Sequence, residues 1–223
     1  MLTIETQALK EKILLHVGCG PTNKAHLKGF AESDWTERRL DIDPGQNPDY
    51  LCSMVDMDAV PVQKFDAIYS SHSLEHLAEF EIQKVLKNFY RSLRDDGFVY
   101  VLCPDMESVL EAALKTGLRE KIYDSPYGPI RPLDVIYGLQ SQIAKGKTYM
   151  AHKTGYTQDC LMNYMIKASF STVYVYKEPS VFELGCLAYK KPAGEDRIRY
   201  DLERYFRLGG ISGTGKIFGL LKH

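Results

Sequence analysis

Five strand-prone residues, Ile13-Leu14-Leu15-His16-Val17, run directly into Gly18-Cys19-Gly20-Pro21. A mostly apolar run that stops at two glycines is how an open α/β sheet ends its first strand and brings main chain up to a ligand. Such a bend needs glycine, because a Cβ would stand where the ligand has to come. Asp41, in Leu40-Asp41-Ile42-Asp43, follows at about the twenty-residue spacing at which these sheets keep an acid for a ribose hydroxyl pair. Bend and acid together predict a nucleoside-containing cofactor.

The neighbours of the glycines narrow the choice. A dinucleotide fingerprint asks for a third glycine three residues after the second, and Asn23 stands there. Pro21 has no N–H, so a donor is missing from where a pyrophosphate would be cradled. S-adenosylmethionine (SAM) has no phosphate, and its methionine end needs only a close main chain. SAM is therefore the expected cofactor, and NAD is not.

Further segments, in order, resemble the class I SAM-dependent methyltransferases, especially the small ones of the methyltransferase type 11 kind. Leu15-His16-Val17-Gly18-Cys19-Gly20 is similar to that family's first motif, and Leu40-Asp41-Ile42-Asp43 to its acid-ended second strand. Asp56-Met57-Asp58-Ala59-Val60-Pro61 resembles the adenine loop, with Val60 for the usual leucine. The stretch from Phe65-Asp66 through Ser73-Leu74-Glu75-His76-Leu77 resembles the fourth strand and its turn, and Leu93-Arg94-Asp95-Asp96-Gly97 the approach to the fifth. The likeness covers residues 13–105 well and 150–191 more loosely. Two departures stand out. His16 replaces an acid common two positions before the first glycine, and Asp95-Asp96 replaces Pro-Gly.

The resemblance implies an α/β, doubly wound, mostly parallel seven-stranded Rossmann-like sheet with an antiparallel last strand. It places cofactor contacts at His16, Gly18, Cys19 and Gly20, with Asp41 on the ribose and Ile42 beside the adenine. Asp56 would accept from the adenine amino group, the Met57 N–H would serve a ring nitrogen, and Ser70 and Ser71 would close the site at the fourth strand. The catalytic candidates are His72 and His152. Histidine has the ordinary pKa of a base at neutral pH, although methyl transfer to an already nucleophilic acceptor needs mainly proximity and alignment.

Hydrophobic spacing supports the alternation of strands and helices. It predicts helices over 79–94, 106–115 and 157–168, and a buried strand over 98–103. Two last strands, 171–176 and 181–189, have a connection short enough to make them antiparallel. Residues 117–154 break the rhythm and read as an insertion with one short helix near 133–145, and tyrosines crowd it. With its edges at about 117–156, this insertion is the expected lid over the acceptor. The domain would span 1–191, followed by an amphipathic C-terminal helix and flexible tail over 192–223. The helix, 195–208, carries Ile198, Leu202, Tyr205 and Phe206 on one face, for docking on the domain or on a second subunit of a homo-oligomer. Gly210 to Lys216 matches part of a phosphate-binding loop, but Ile217 replaces the Ser or Thr that would hold magnesium, and no strand precedes it.

Composition excludes several classes. With 28 basic and 29 acidic residues the net charge is −1, which does not suggest nucleic acid. No apolar run approaches the roughly 20 residues of a membrane span, and a cytoplasmic protein is expected. The 5 cysteines lack metal-ligand spacing, so neither a metal site nor a disulfide framework is expected. The sequence reading is a SAM-dependent methyltransferase acting on an oxygen or nitrogen of a small-molecule or glycan-type acceptor. Two other readings are open at this stage: a SAM-binding sensor or partner subunit without transferase activity, and a nicotinamide-dependent oxidoreductase.

Overall fold

The computed structural model describes residues 11–205 and 215–219. Along the chain run β1 (Lys12–Val17), β2 (Trp35–Asp41), β3 (Tyr50–Leu51), β4 (Phe65–Ser71), α1 (Glu79–Ser92), β5 (Leu93–Pro104) and α2 (Met106–Thr116). Then come β6 (Tyr123–Ser125), β7 (Gly128–Ile130), α3 (Pro132–Tyr137), α4 (Gln140–Ile143), α5 (Gln158–Lys167), β8 (Thr172–Glu178), β9 (Glu183–Tyr189), α6 (Glu195–Tyr205) and β10 (Lys216–Phe218).

The main sheet has the order β10-β8-β9-β5-β4-β1-β2-β3. The strands β3, β2, β1, β4 and β5 are parallel neighbours. β9 runs antiparallel to both β5 and β8, so it is the reversed strand that the sequence led one to expect. The strand count is corrected from seven to eight. Lys216–Phe218, assigned to a flexible tail, pairs antiparallel with β8 at the sheet edge. Most of the phosphate-loop-like segment and Phe206 lie outside the described residues.

Alternation along the central strands builds two cores. Leu15, Val17, Ile68, Val99 and Val101 face a layer that contains α1 and α5. α1 lies there because Ile82, Val85, Leu86 and Phe89 share one helical face, and its start is held by Glu81, whose carboxylate accepts from Ala78 N at 2.8 Å. On the opposite face, Leu14, Tyr69 and Tyr100 meet Leu27, Phe30 and Trp35 together with Ile198, Leu202 and Tyr205 of α6. The connection from β1 to β2 contains only the 3-10 turn Lys24–His26, and that from β2 to β3 only Pro44–Gln46. A doubly wound sheet needs cover on both faces. Here α6, arriving from the far end of the chain, supplies part of it, with the Tyr205 ring stacked 4.6 Å from Phe30. Of the two docking surfaces expected for this helix, its own domain is the one on which its apolar face packs.

The insertion is richer than the single helix expected. The β6–β7 hairpin and two short helices, α3 and α4, fill it, and Ile130 and Val135 pack with Val109 of α2 into a small third core. No helix among the described residues is long and apolar enough to cross a membrane.

Candidate active site

β1 ends at Val17, and the bend that follows has Gly18 at φ 64° and Gly20 at φ 51°, a region that favours glycine. The two glycines serve different needs. A Cβ on Gly18 would stand 2.2 Å from Ser73 Oγ, whereas one on Gly20 would have nothing within 4 Å. Gly18 admits a neighbouring turn; Gly20 keeps space open. β2 braces the bend. Asp41 Oδ2 accepts from Gly20 N at 2.8 Å and Oδ1 from Asp43 N at 2.9 Å, while Arg39 Nη2 donates to Gly20 O at 2.6 Å. A carboxylate offers about four acceptor positions, so Asp41 keeps capacity for another partner. Ile42 beside it is 51% exposed, an apolar side chain left uncovered at the strand's end. Cys19 is buried, and that burial pushes its thiol up to about 11, which makes it no nucleophile at neutral pH.

Other expected contacts are placed differently. His16 is turned into the core: it is 3% exposed, with Nδ1 2.8 Å from Glu37 Oε1 and its ring edge-on to Tyr69. Its side chain therefore has almost no surface to offer a cofactor, and any contact there would fall to the main chain. Asp56 is exposed and forms an ion pair with Lys84 on α1 at 2.7 Å. Met57 has its side chain fully buried, and its carbonyl accepts from Arg91 Nη2 at 2.6 Å. Ser70 is buried, and its Oγ has no hydrogen-bond partner among the described residues. The Ser71 carbonyl accepts from Ser73 Oγ at 3.0 Å, which fixes the turn against Gly18.

His72 and His152, 80 positions apart, come to the same carboxylate. His72 has φ 49°, costly for a residue with a Cβ, and its N–H is held by Leu102 O at 2.9 Å. Its Nε2 is 2.8 Å from Glu183 Oε2 and its Nδ1 is 3.5 Å from Glu75 Oε1. The ring is half exposed; desolvation of its inner edge opposes its charge, but the hydrogen bond to Glu183 and the negative charges of Glu183 and Glu75 outweigh that and raise its pKa. His152 is tied through Nδ1 to Val135 O at 2.6 Å, and its ring meets that of His76 edge-on, 4.9 Å between centroids. His76 Nδ1 is 3.2 Å from Ala151 O. Main-chain bonds from Lys153 N and Thr154 N to Glu75 O, at 2.8 and 3.2 Å, lock the end of the insertion onto the turn at 74–76.

Glu75 and Glu183 are the residues sequence reasoning missed. Glu75 sat in the Leu-Glu-His-Leu motif, and an acid between two leucines bound for the core was the available signal. Glu183 gave none, since it reaches His72 only because β9 sets it opposite Pro104 of β5. The tyrosines of the insertion do not assemble as one wall: Tyr156 is in the core, its hydroxyl donating to Leu74 O at 3.1 Å, while Tyr127 and Tyr137 are exposed. Tyr149 and Lys147 reach the loop after β2. They help hold the Asp43 carboxyl below the usual range, after the larger effects of the Gln46 side chain and Gly45 N–H. The insertion thus touches both the loop after β2 and the turn after β4.

A family model described as "Methyltransferase domain" matches residues 15–101. No curated protein matches the chain. Among solved structures, a SAM-dependent methyltransferase from Mesorhizobium loti aligns over 81% of this chain and 91% of its own, with a TM-score of 0.55 and 15% identity. A 1,6-didemethyltoxoflavin-N1-methyltransferase from Burkholderia thailandensis aligns over 80% of this chain and 71% of its own, with a TM-score of 0.51 and 14% identity. A protein of Bordetella parapertussis described as a possible exported protein matches with a TM-score of 0.55 and 14% identity; the alignment covers 82% of this chain and 63% of that one. Identities this low speak for fold, and the family match speaks for the segment that holds the bend, the acid and the histidine turn. Residues 15–101 thus match a methyltransferase-domain family model, and the chain has the fold of SAM-dependent methyltransferases of known structure.

Proposed function

We propose that the protein transfers a methyl group from SAM to an oxygen or nitrogen of a small-molecule or glycan-type acceptor. The observation that carries the reading is the bend at residues 18–20: Gly20 opens on free space while Asp41, bonded to its N–H, faces the same turn. When bound, SAM supplies a methyl group on a positively charged sulfur, open to attack by a well-aligned lone pair. The residues fit it. Main chain at Gly18, Cys19 and Gly20 approaches the methionine part, Asp41 takes the ribose hydroxyls, and exposed Ile42 covers the adenine. Asp56 and the Met57 main chain stand on the adenine side, and Ser71 with Ser73 frames the turn opposite. A pyrophosphate is poorly served, since Pro21 lacks a donor and a three-residue 3-10 turn follows in place of a helix N-terminus.

The acceptor would enter beneath residues 117–156, where His72 and His152 border it. A small-molecule acceptor is supported by likeness to the Burkholderia thailandensis enzyme, whose structure holds 1,6-didemethyltoxoflavin and S-adenosylhomocysteine. Titration calorimetry tests the reading: S-adenosylhomocysteine should bind and NADH should not. Tight NADH binding with no response to the adenosyl ligand would overturn it. Turnover of SAM screened against sugar hydroxyl and amine acceptors then identifies the nucleophile.

A further inference from the structure

We propose that Glu75, His76 and His152 form a binding site for a divalent cation of the zinc class, built half from the turn after β4 and half from the insertion. One ligand-capable atom from each of the three lies within 4.8 Å of the others. Bonds of roughly 2.0–2.2 Å to such a cation need these atoms drawn in by about an ångström, within reach of side-chain rotation.

The surroundings prepare the ligands. His76 Nδ1 and His152 Nδ1 each face a backbone carbonyl, Ala151 O at 3.2 Å and Val135 O at 2.6 Å. A carbonyl only accepts, so each Nδ1 carries its proton and each Nε2 keeps a lone pair in the neutral ring. Histidines that bind metal are oriented in this way, by donating the other ring N–H to a carbonyl or carboxylate.

Glu75 supplies the independent sign. It is 1% exposed, and neither carboxylate oxygen accepts a hydrogen bond. The charge of His72 offsets part of the cost of burying this carboxylate, but both oxygens still lack a close donor, which a bound cation would replace. His72 approaches only to 3.5 Å, and its other nitrogen is engaged by Glu183. Two imidazoles and one carboxylate suit zinc and its transition-metal neighbours better than magnesium or calcium, which favour all-oxygen sites. Three protein ligands leave a fourth position open. The ion would fasten the insertion to the sheet through His152. On the methyltransferase reading, on which this last point rests, the open position lies on the acceptor side, two residues from the turn that touches Gly18.

The full-length chain, stripped with a chelator and titrated with zinc, should bind one equivalent. Cobalt(II) in its place should give the visible bands of a four-coordinate nitrogen and oxygen site. Glu75→Gln, nearly isosteric, and His152→Ala should each weaken zinc binding by at least about tenfold, the loss that even outer-shell partners bring. Circular dichroism checks that both variants fold, and the wild-type cobalt spectrum stands as a test if either does not. Substoichiometric binding by the wild type, or undiminished binding by both folded variants, overturns the proposal. Metal content is read without cofactor or turnover, so its failure and that of the methyltransferase reading show separately.

Discussion

The Asp41 carboxylate, which we propose for the ribose, braces the bend through Gly20 N and Asp43 N. Asp41→Ala should weaken S-adenosylhomocysteine binding by about 10- to 100-fold in calorimetry, from the roughly 1.5–3 kcal/mol of hydrogen bonds to a charged acceptor. Unchanged affinity would place the nucleoside elsewhere. The acid was legible in the sequence because its spacing from the glycines is set by one strand-to-strand crossover. The burial of the His16 side chain was legible in strand alternation: Leu14 and His16 share one face of β1 and Leu15 and Val17 the other. The role of Glu75 was not. Its burial depends on residues 151–154, some 75 positions later, folding back over it.

At the scale of elements, the bend separates two kinds of glycine. Gly20→Ala adds a methyl group to open space, so it should fold with a modest loss of about 1–2 kcal/mol for its left-handed φ, yet bind S-adenosylhomocysteine poorly. Gly18→Ala carries the same backbone penalty and also drives Ser73 Oγ off Ser71 O, so its melting temperature should fall further. Equal melting temperatures would contradict the division. The insertion has its own anchor in Asp134, whose pKa is lowered chiefly by the side-chain hydrogen bonds of Arg131, from Nε at 2.7 Å and Nη2 at 2.9 Å. A depressed carboxyl stabilises the fold above its unfolded pKa of about 3.9 and loses that contribution as pH falls through the folded value. Protection of the α3 amides relative to their intrinsic exchange rates should therefore fall in acid, below about pH 4, and Asp134→Asn should show the same loss of protection at neutral pH. α1 and α5 were readable because each buries one helical stripe; α2 shows the same spacing, but only Val109 of it is buried, while Leu110 and Leu114 are exposed. The β6–β7 hairpin was not, because strands of three residues are too short to show a period.

Across the whole molecule, the layer over Leu14, Tyr69 and Tyr100 is shared between a loop near the start and a helix near the end. Tyr205→Ala should cost about 3–5 kcal/mol, the range for an aromatic lost from a core, and lower the denaturation midpoint of the entire sheet rather than fray one end. A small change confined to α6 would show that the helix only rests there. The central parallel strands were foreseeable from local patterns, but what covers their second face was not, since no local pattern says that the helix usual after the first strand is missing. This has a bearing on biosynthesis. A nascent polypeptide emerging amino end first has made the matched segment, 15–101, about a hundred residues before Tyr205 arrives to cover Phe30 and Trp35. Partly made chains must therefore carry a bare aromatic surface until α6 has emerged, and a fragment cut at the end of that segment would inherit it for good.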